Sequence, residues 1–202
     1  MLSSAFFGHK PSKFQINPIV KSFIVSETFF WAGQNLMSPI FAIFVAQGLS
    51  DGSLEAAGTA VTVYMIARIL AELISGKLLK DTKDSAKFWY SIIGVVVVGL
   101  GYVGMAFVSY VVWVYALQFM IGIGFGIASP AKYSLFSRHL DKGKESSEWS
   151  IYDAAIYAGM ACTAMLGGFI ANEYGFDLLL ITSGIVIILG CIPYALFVFD
   201  KD

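Results

Sequence analysis

Charge is scarce in this chain. Asp, Glu, Lys and Arg make up 13% of its 202 residues, against about a quarter in an ordinary soluble domain. Thirteen basic and fourteen acidic residues leave a formal net charge of −1, which offers no pull toward nucleic acid. Cysteine occurs only at Cys162 and Cys191, both inside apolar runs. They are expected as small buried residues rather than a disulfide framework. The two histidines, His9 and His139, have no ligand-spaced partners, so neither a metal centre nor a cofactor is expected. No nucleophile–base pair is visible, and an enzyme is not expected. The first twenty residues lack the pattern of a signal peptide. Gly122-Ile123-Gly124-Phe125-Gly126 superficially looks like a phosphate loop, but no strand precedes it. Such glycines inside an apolar run suit close helix packing better.

Apolar residues are abundant instead. They form 57% of the chain, and the mean hydropathy is +0.74. One core at this length cannot absorb them all, so lipid is the expected solvent. About 20 apolar residues span a ~30 Å hydrocarbon core as a helix. Six stretches qualify, near Ser22–Ala46, Leu54–Leu79, Phe88–Val108, Val111–Phe136, Trp149–Ala171 and Phe176–Phe199. They are long and lack period-2 alternation, which favours helices over a barrel. Turn chemistry separates them at Gly48–Gly52, Asp81–Ser85 and Asn172–Gly175. The third and sixth stretches, rich in Val, Ile, Leu and Gly, are expected at the lipid-facing periphery.

Basic residues alternate between connections. Lys10, Lys13 and Lys21 precede the first span; Lys77, Lys80, Lys83 and Lys87 surround the second connection. Arg138, Lys142 and Lys144 mark the fourth connection and Lys201 the tail, while the first, third and fifth connections have no Lys or Arg. The positive-inside rule then puts both termini in the cytoplasm of a cell (plasma or inner) membrane protein.

An internal repeat is visible. Gly33, Ser38 and Pro39 recur as Gly124, Ser129 and Pro130 at an offset of 91. Ser75-Gly76 aligns with Gly167-Gly168 at an offset of 92, and Gly99 lies 91 before Gly190. The repeats run from about 18 to 108 and from about 109 to 200 within a single six-helix domain. Three helices per copy is an odd number, so the copies cross in opposite directions as an inverted-topology repeat. Each proline frees a backbone carbonyl inside lipid. Neighbours or a wet cavity must satisfy it, so the first and fourth helices are expected to line a pathway, with an ordinary packing kink as the alternative.

Six helices in a 3+3 inverted repeat with these glycines resemble one half of a major facilitator superfamily transporter. The family's loop between helices 2 and 3 carries Gly-x-Leu-x-Asp-Arg and basic residues. Gly76-Lys77-Leu78-Leu79-Lys80-Asp81 fits with the acid one place late, and Lys83 and Lys87 stand in for the basic cluster. Gln118 replaces the arginine of the family's fourth-helix motif ahead of Gly122, Gly124 and Gly126. Thr163 and Ala164 occupy the Gly-Pro positions of its fifth-helix motif before Gly167 and Gly168. The resemblance implies a secondary transporter of a small molecule that pairs, as a homodimer, into a twelve-helix unit. The second helix of one copy would meet the fifth of the other, with Ala56, Ala57, Ala60, Gly159 and Ala164 permitting close approach. A heterodimeric half and a non-transporting assembly module remain alternatives.

Five ionisable groups fall inside the spans: Glu27, Arg68, Glu72, Lys132 and Asp153. Charges there are costly unless paired, so a paired layer forming a cytoplasmic gate is expected, with snorkelling as the alternative for Lys132. Arg68 and Glu72 stand four residues apart on one face. Glu27, Trp31, Gln34, Asn35 and Ser38 form a stripe at helical spacing. Gln34, Asn35 and Ser38, with Gln118 and Tyr157, are the candidate pathway groups. Sugars, amino acids and small ions suit them equally.

Overall fold

The computed structural model describes residues 16–199, and every described element is helical. In chain order these are α1 (Pro18–Met37), α2 (Phe41–Gln47), α3 (Leu54–Leu78), α4 (Asp84–Met105), α5 (Val111–His139), α6 (Glu145–Leu189) and α7 (Cys191–Phe199). His9, Lys10, Lys13 and Lys201 lie outside the described residues.

Five helical stretches are long and apolar enough to cross a membrane: Pro18–Gln47, Leu54–Leu78, Asp84–Met105, Val111–His139 and Glu145–Ala195. The sequence pattern predicts six. The last stretch has 51 residues, about 75 Å of helix at 1.5 Å per residue. Its backbone leaves helical geometry at Gly175, with φ 86° and ψ 175°. A side chain is strained at such a φ, and glycine is not. The predicted Asn172–Gly175 turn therefore narrows to one residue.

The connections are fixed locally. Asn17 accepts a hydrogen bond from the Ile19 N–H at 2.9 Å and opens α1, with Pro18 next to it. Ser53 caps α3 by accepting from the Ala56 N–H at 3.0 Å. Asp51 accepts from the Val111 N–H at 2.8 Å, which ties the first connection to the start of α5.

The two prolines act differently. Pro39 ends α1, and α2 begins after the turn through Ile40. Pro130 stays inside an unbroken α5. It removes the N–H that would have bonded the Gly126 carbonyl. The Ser75 hydroxyl, arriving from α3, donates to that carbonyl instead.

Packing is close. The main contacts are α1 with α6, α3 with α5, and α4 with both α5 and α6. Gly99 and Gly184 face each other so closely that a Cβ on either would press on the other's carbonyl oxygen. Half of α4's most apolar window is buried, against 17% of α3's. The third span is thus less peripheral than its composition implies, because it fills the groove between α5 and α6. Ala56, Ala57 and Ala60 are also corrected. They sit in the core with Phe44, Val45 and Val114 and are not on a free face of α3. The open side of α3 carries Ile66, Ile69, Leu70 and Leu73. Cys191 is buried as expected, whereas Cys162 is exposed.

Candidate functional site

Trp31 stands between two hollows. The first, about 310 Å³, is bordered by Gln34, Ser38, Tyr64, Arg68, Tyr102 and Gln118 among others. The second, about 300 Å³, is bordered by Tyr133, Trp149, Tyr152, Asp153 and Tyr157 as well as Trp31. The first runs along Gln34 and Ser38 of the α1 stripe, the second meets α1 at Trp31, and Trp31 is their shared wall.

The first hollow has a fixed polar lining. The Tyr102 hydroxyl donates to Gln34 Oε1 at 2.7 Å. Arg68 Nη1 donates to the Tyr64 hydroxyl at 2.9 Å, and its Nε meets Glu72 at 3.4 Å. The guanidinium lies 4.8 Å from the centre of the Phe125 ring, within cation–π range. Gln34, Ser38 and Gln118 therefore share one space. Asn35 is directed elsewhere, donating to the Met160 carbonyl at 2.7 Å and clamping α1 to α6. Tyr157 is exposed and lines the second hollow.

The five ionisable groups separate into three places. Lys132 Nζ meets Glu27 Oε1 at 2.8 Å in the core and sits 3.8 Å from the Phe30 ring centre. Tyr194 donates to Glu27 at 2.7 Å and Tyr152 reaches its other oxygen at 3.4 Å. Groups from α1, α5, α6 and α7 thus converge on one carboxylate. Lys132 is 4% exposed and turns inward, not toward an interface. Arg68 and Glu72 pair along α3 at the first hollow. Asp153, on the third turn of α6, is exposed and has no hydrogen bond or ion pair among the described residues.

The loop motif also disperses. Lys87 is buried and donates to Ser134 at 2.8 Å, fastening α4 to α5. Lys83 precedes α4 as its N-cap residue, Asp81 is exposed in the connection, and Gly76 has open space around it. A pair absent from the sequence expectations, Arg138 with Asp84 at 2.9 Å, bridges the same ends of α4 and α5. Ser75, Tyr64, Tyr133, Trp149 and Tyr194 were likewise not among the expected site residues. Their signal was faint: hydroxyl and indole groups placed in apolar helices at the depth of an acid or a proline.

Among the described residues, no group of three His, Cys, Asp or Glu could hold a metal ion. The arrangement offers hydrogen bonds, aromatic faces and one open carboxylate, which suit recognition rather than bond cleavage. No curated protein matches the chain. The family profile described as Major Facilitator Superfamily matches residues 23–202.

Proposed function

The chain belongs to the Major Facilitator Superfamily, a family of membrane transporters and not of enzymes, and from that premise we propose that it moves a small polar solute by alternating access. The observation that carries this reading is the pair of hollows on either side of Trp31. A solute passing between them needs only a rocking of helices around one indole.

Six crossings in two inverted repeats fit the packing. The break at Gly175 divides a stretch of 51 residues into two arms, each long enough for one crossing. Exchanging the two repeats then swaps the first and fourth crossings, the second and fifth, and the third and sixth. The contacts survive that exchange. Gly33 packs on Ser183 and Ile187, as Gly124 does on Gly94 and Val98. Ser75 reaches the Gly126 carbonyl, as Gly167 presses on that of Leu36.

Neither hollow is enclosed, and α3 leaves most of its apolar surface uncovered. A second bundle of the same kind, inserted in parallel, would close both. A second copy of this chain fits by symmetry, with Ile66, Ile69 and Leu73 of α3 against Met165 and Phe169 on the first arm of the partner's α6. Both termini are then cytoplasmic, in keeping with the lysine-rich second and fourth connections.

Proteoliposomes holding only this protein should accumulate a labelled solute down its gradient. Native mass measurement in nanodiscs should give two copies, and cysteines at Ile69 and Phe169 should crosslink between them. A transporting monomer would sink the dimer. Silence across a broad solute panel would favour an assembly module, and uptake that requires a different half would favour a heterodimer. In intact cells, a cysteine in Leu49–Ser53 should react with an impermeant reagent; labelling only after lysis reverses the orientation.

A further inference from the structure

We propose that the hollow bounded by α1, α5 and α6 binds a small organic cation, of the quaternary or alkyl ammonium class. This rests on the transport reading above and names the substrate for it. Five aromatic rings border the space: Trp31 from α1, Tyr133 from α5, and Trp149, Tyr152 and Tyr157 from α6. The face of an aromatic ring is the negative end of its quadrupole, so rings arriving from several directions form a cage for a positive charge. Packing holds several of them in place. Trp149 and Tyr152 stack edge-on at 5.4 Å and both contact Phe136 at 4.6 Å, while Trp31 sits 5.6 Å from Phe30.

The electrostatics point the same way. Asp153 borders the cage and has no hydrogen bond or ion pair among the described residues. Lys132, the nearest buried cation, is neutralised by Glu27 at 2.8 Å, covered by Phe30 and absent from the lining. Among the described residues, the only formal charge at the wall is therefore negative. An anion would meet Asp153 with no described lining residue to offset it. A cation gains both the carboxylate and the rings, and a volume of about 300 Å³ admits a compact ammonium ion. The companion hollow is bordered by Arg68, whose Nε meets Glu72 at 3.4 Å behind it, and by the uncharged amides of Gln34 and Gln118, which can bind polar parts of the same molecule.

Choline and its uncharged carbon analogue, 3,3-dimethylbutan-1-ol, have nearly the same shape and separate charge from size. Titrated against the protein in nanodiscs, choline should change tryptophan fluorescence saturably. It should bind about tenfold or more tighter than the analogue, the scale of a partly desolvated cation–π contact with an added carboxylate. Asp153→Asn should lower that ratio severalfold, leaving the share owed to the rings, and Trp149→Leu should weaken choline severalfold while the particle stays monodisperse. Equal binding of choline and the analogue overturns the proposal, as does full discrimination by Asp153→Asn. So does a crosslink showing Asp153 occupied by a lysine or arginine of the second bundle. Choline binding without uptake into proteoliposomes leaves the cation site standing and removes the transport reading. Uptake of another solute without choline binding does the reverse.

Discussion

Lys132 meets Glu27 across two helices at 2.8 Å with both side chains 5% exposed or less, whereas Arg68 meets Glu72 one turn along its own helix at 3.4 Å with side chains 23% and 38% exposed. Both are acid–base pairs in apolar helices, yet they do different work. The first is walled by Phe30 and bonded by Tyr194 and Tyr152, so neither charge can turn to water. Such a pair holds helices in one register, because separating them strands two charges. The second borders a hollow through Arg68, whose hydrogen-bond partners Tyr64 and Glu72 lie on its own helix and whose cross-helix contact is the Phe125 ring, so its loss leaves no charge locked between helices. One pair fixes the bundle; the other meets a hollow through Arg68.

The sharpest way to break this contrast is to remove one partner from each pair. Lys132→Met should destabilise the bundle by about 3–5 kcal/mol, the cost of an uncompensated buried charge. Unfolding by denaturing detergent measures it. The double change Lys132→Met with Glu27→Gln should recover most of that loss, and single losses that simply add in the double variant would show that the two groups do not interact.

A smaller effect tests a neutral polar contact at the same depth. Ser75→Ala should cost about 1 kcal/mol, the scale of an interhelical hydrogen bond in lipid. Restoring the helical N–H with Pro130→Ala should make Ser75→Ala nearly silent, because the Gly126 carbonyl then has its own donor. An undiminished cost in that background would assign the Ser75 effect to packing alone.

Arg68→Ala should cost stability only a few tenths of a kcal/mol, as for other i,i+4 pairs with access to solvent. Its larger effect is expected on solute uptake, since Arg68 lines the first hollow. A stability loss as large as that of Lys132→Met would erase the distinction between the pairs. The smallest effect belongs to Arg138 and Asp84, whose side chains are 65% and 33% exposed. Arg138→Ala should cost well under 1 kcal/mol at low salt, and the difference should vanish near 0.5 M salt.

Much of this architecture was legible beforehand. Helical class, membrane residence and the positions of the connections follow from long apolar runs punctuated by Gly, Asn, Asp and Ser. The Arg68–Glu72 pair was legible because i,i+4 spacing on one helix is geometry that sequence fixes alone. The requirement that a neighbour satisfy the carbonyl freed by Pro130 was also legible, but not that Ser75 supplies the donor. Asn35 illustrates the limit. Its place on the polar stripe was correct, yet whether it met a hollow or the Met160 carbonyl depended on how α6 lies against α1.

The sequence by itself determined the local terms: where helices run, where proline and Gly175 interrupt them, and which positions carry charge at a cost that demands partners. These depend on residues within a few turns of one another. The tertiary structure alone decided which partners met. Glu27 and Lys132 are far apart in the chain, and Tyr152 and Tyr194 reach them from two further helices. Trp31, Tyr133, Trp149 and Asp153 border one space although they come from α1, α5 and α6, and Gly159 and Gly167 let α6 lie closely against α1. Helix formation satisfies the backbone residue by residue, while the rotation and depth of each helix are set by packing summed over the whole bundle, which no local pattern encodes.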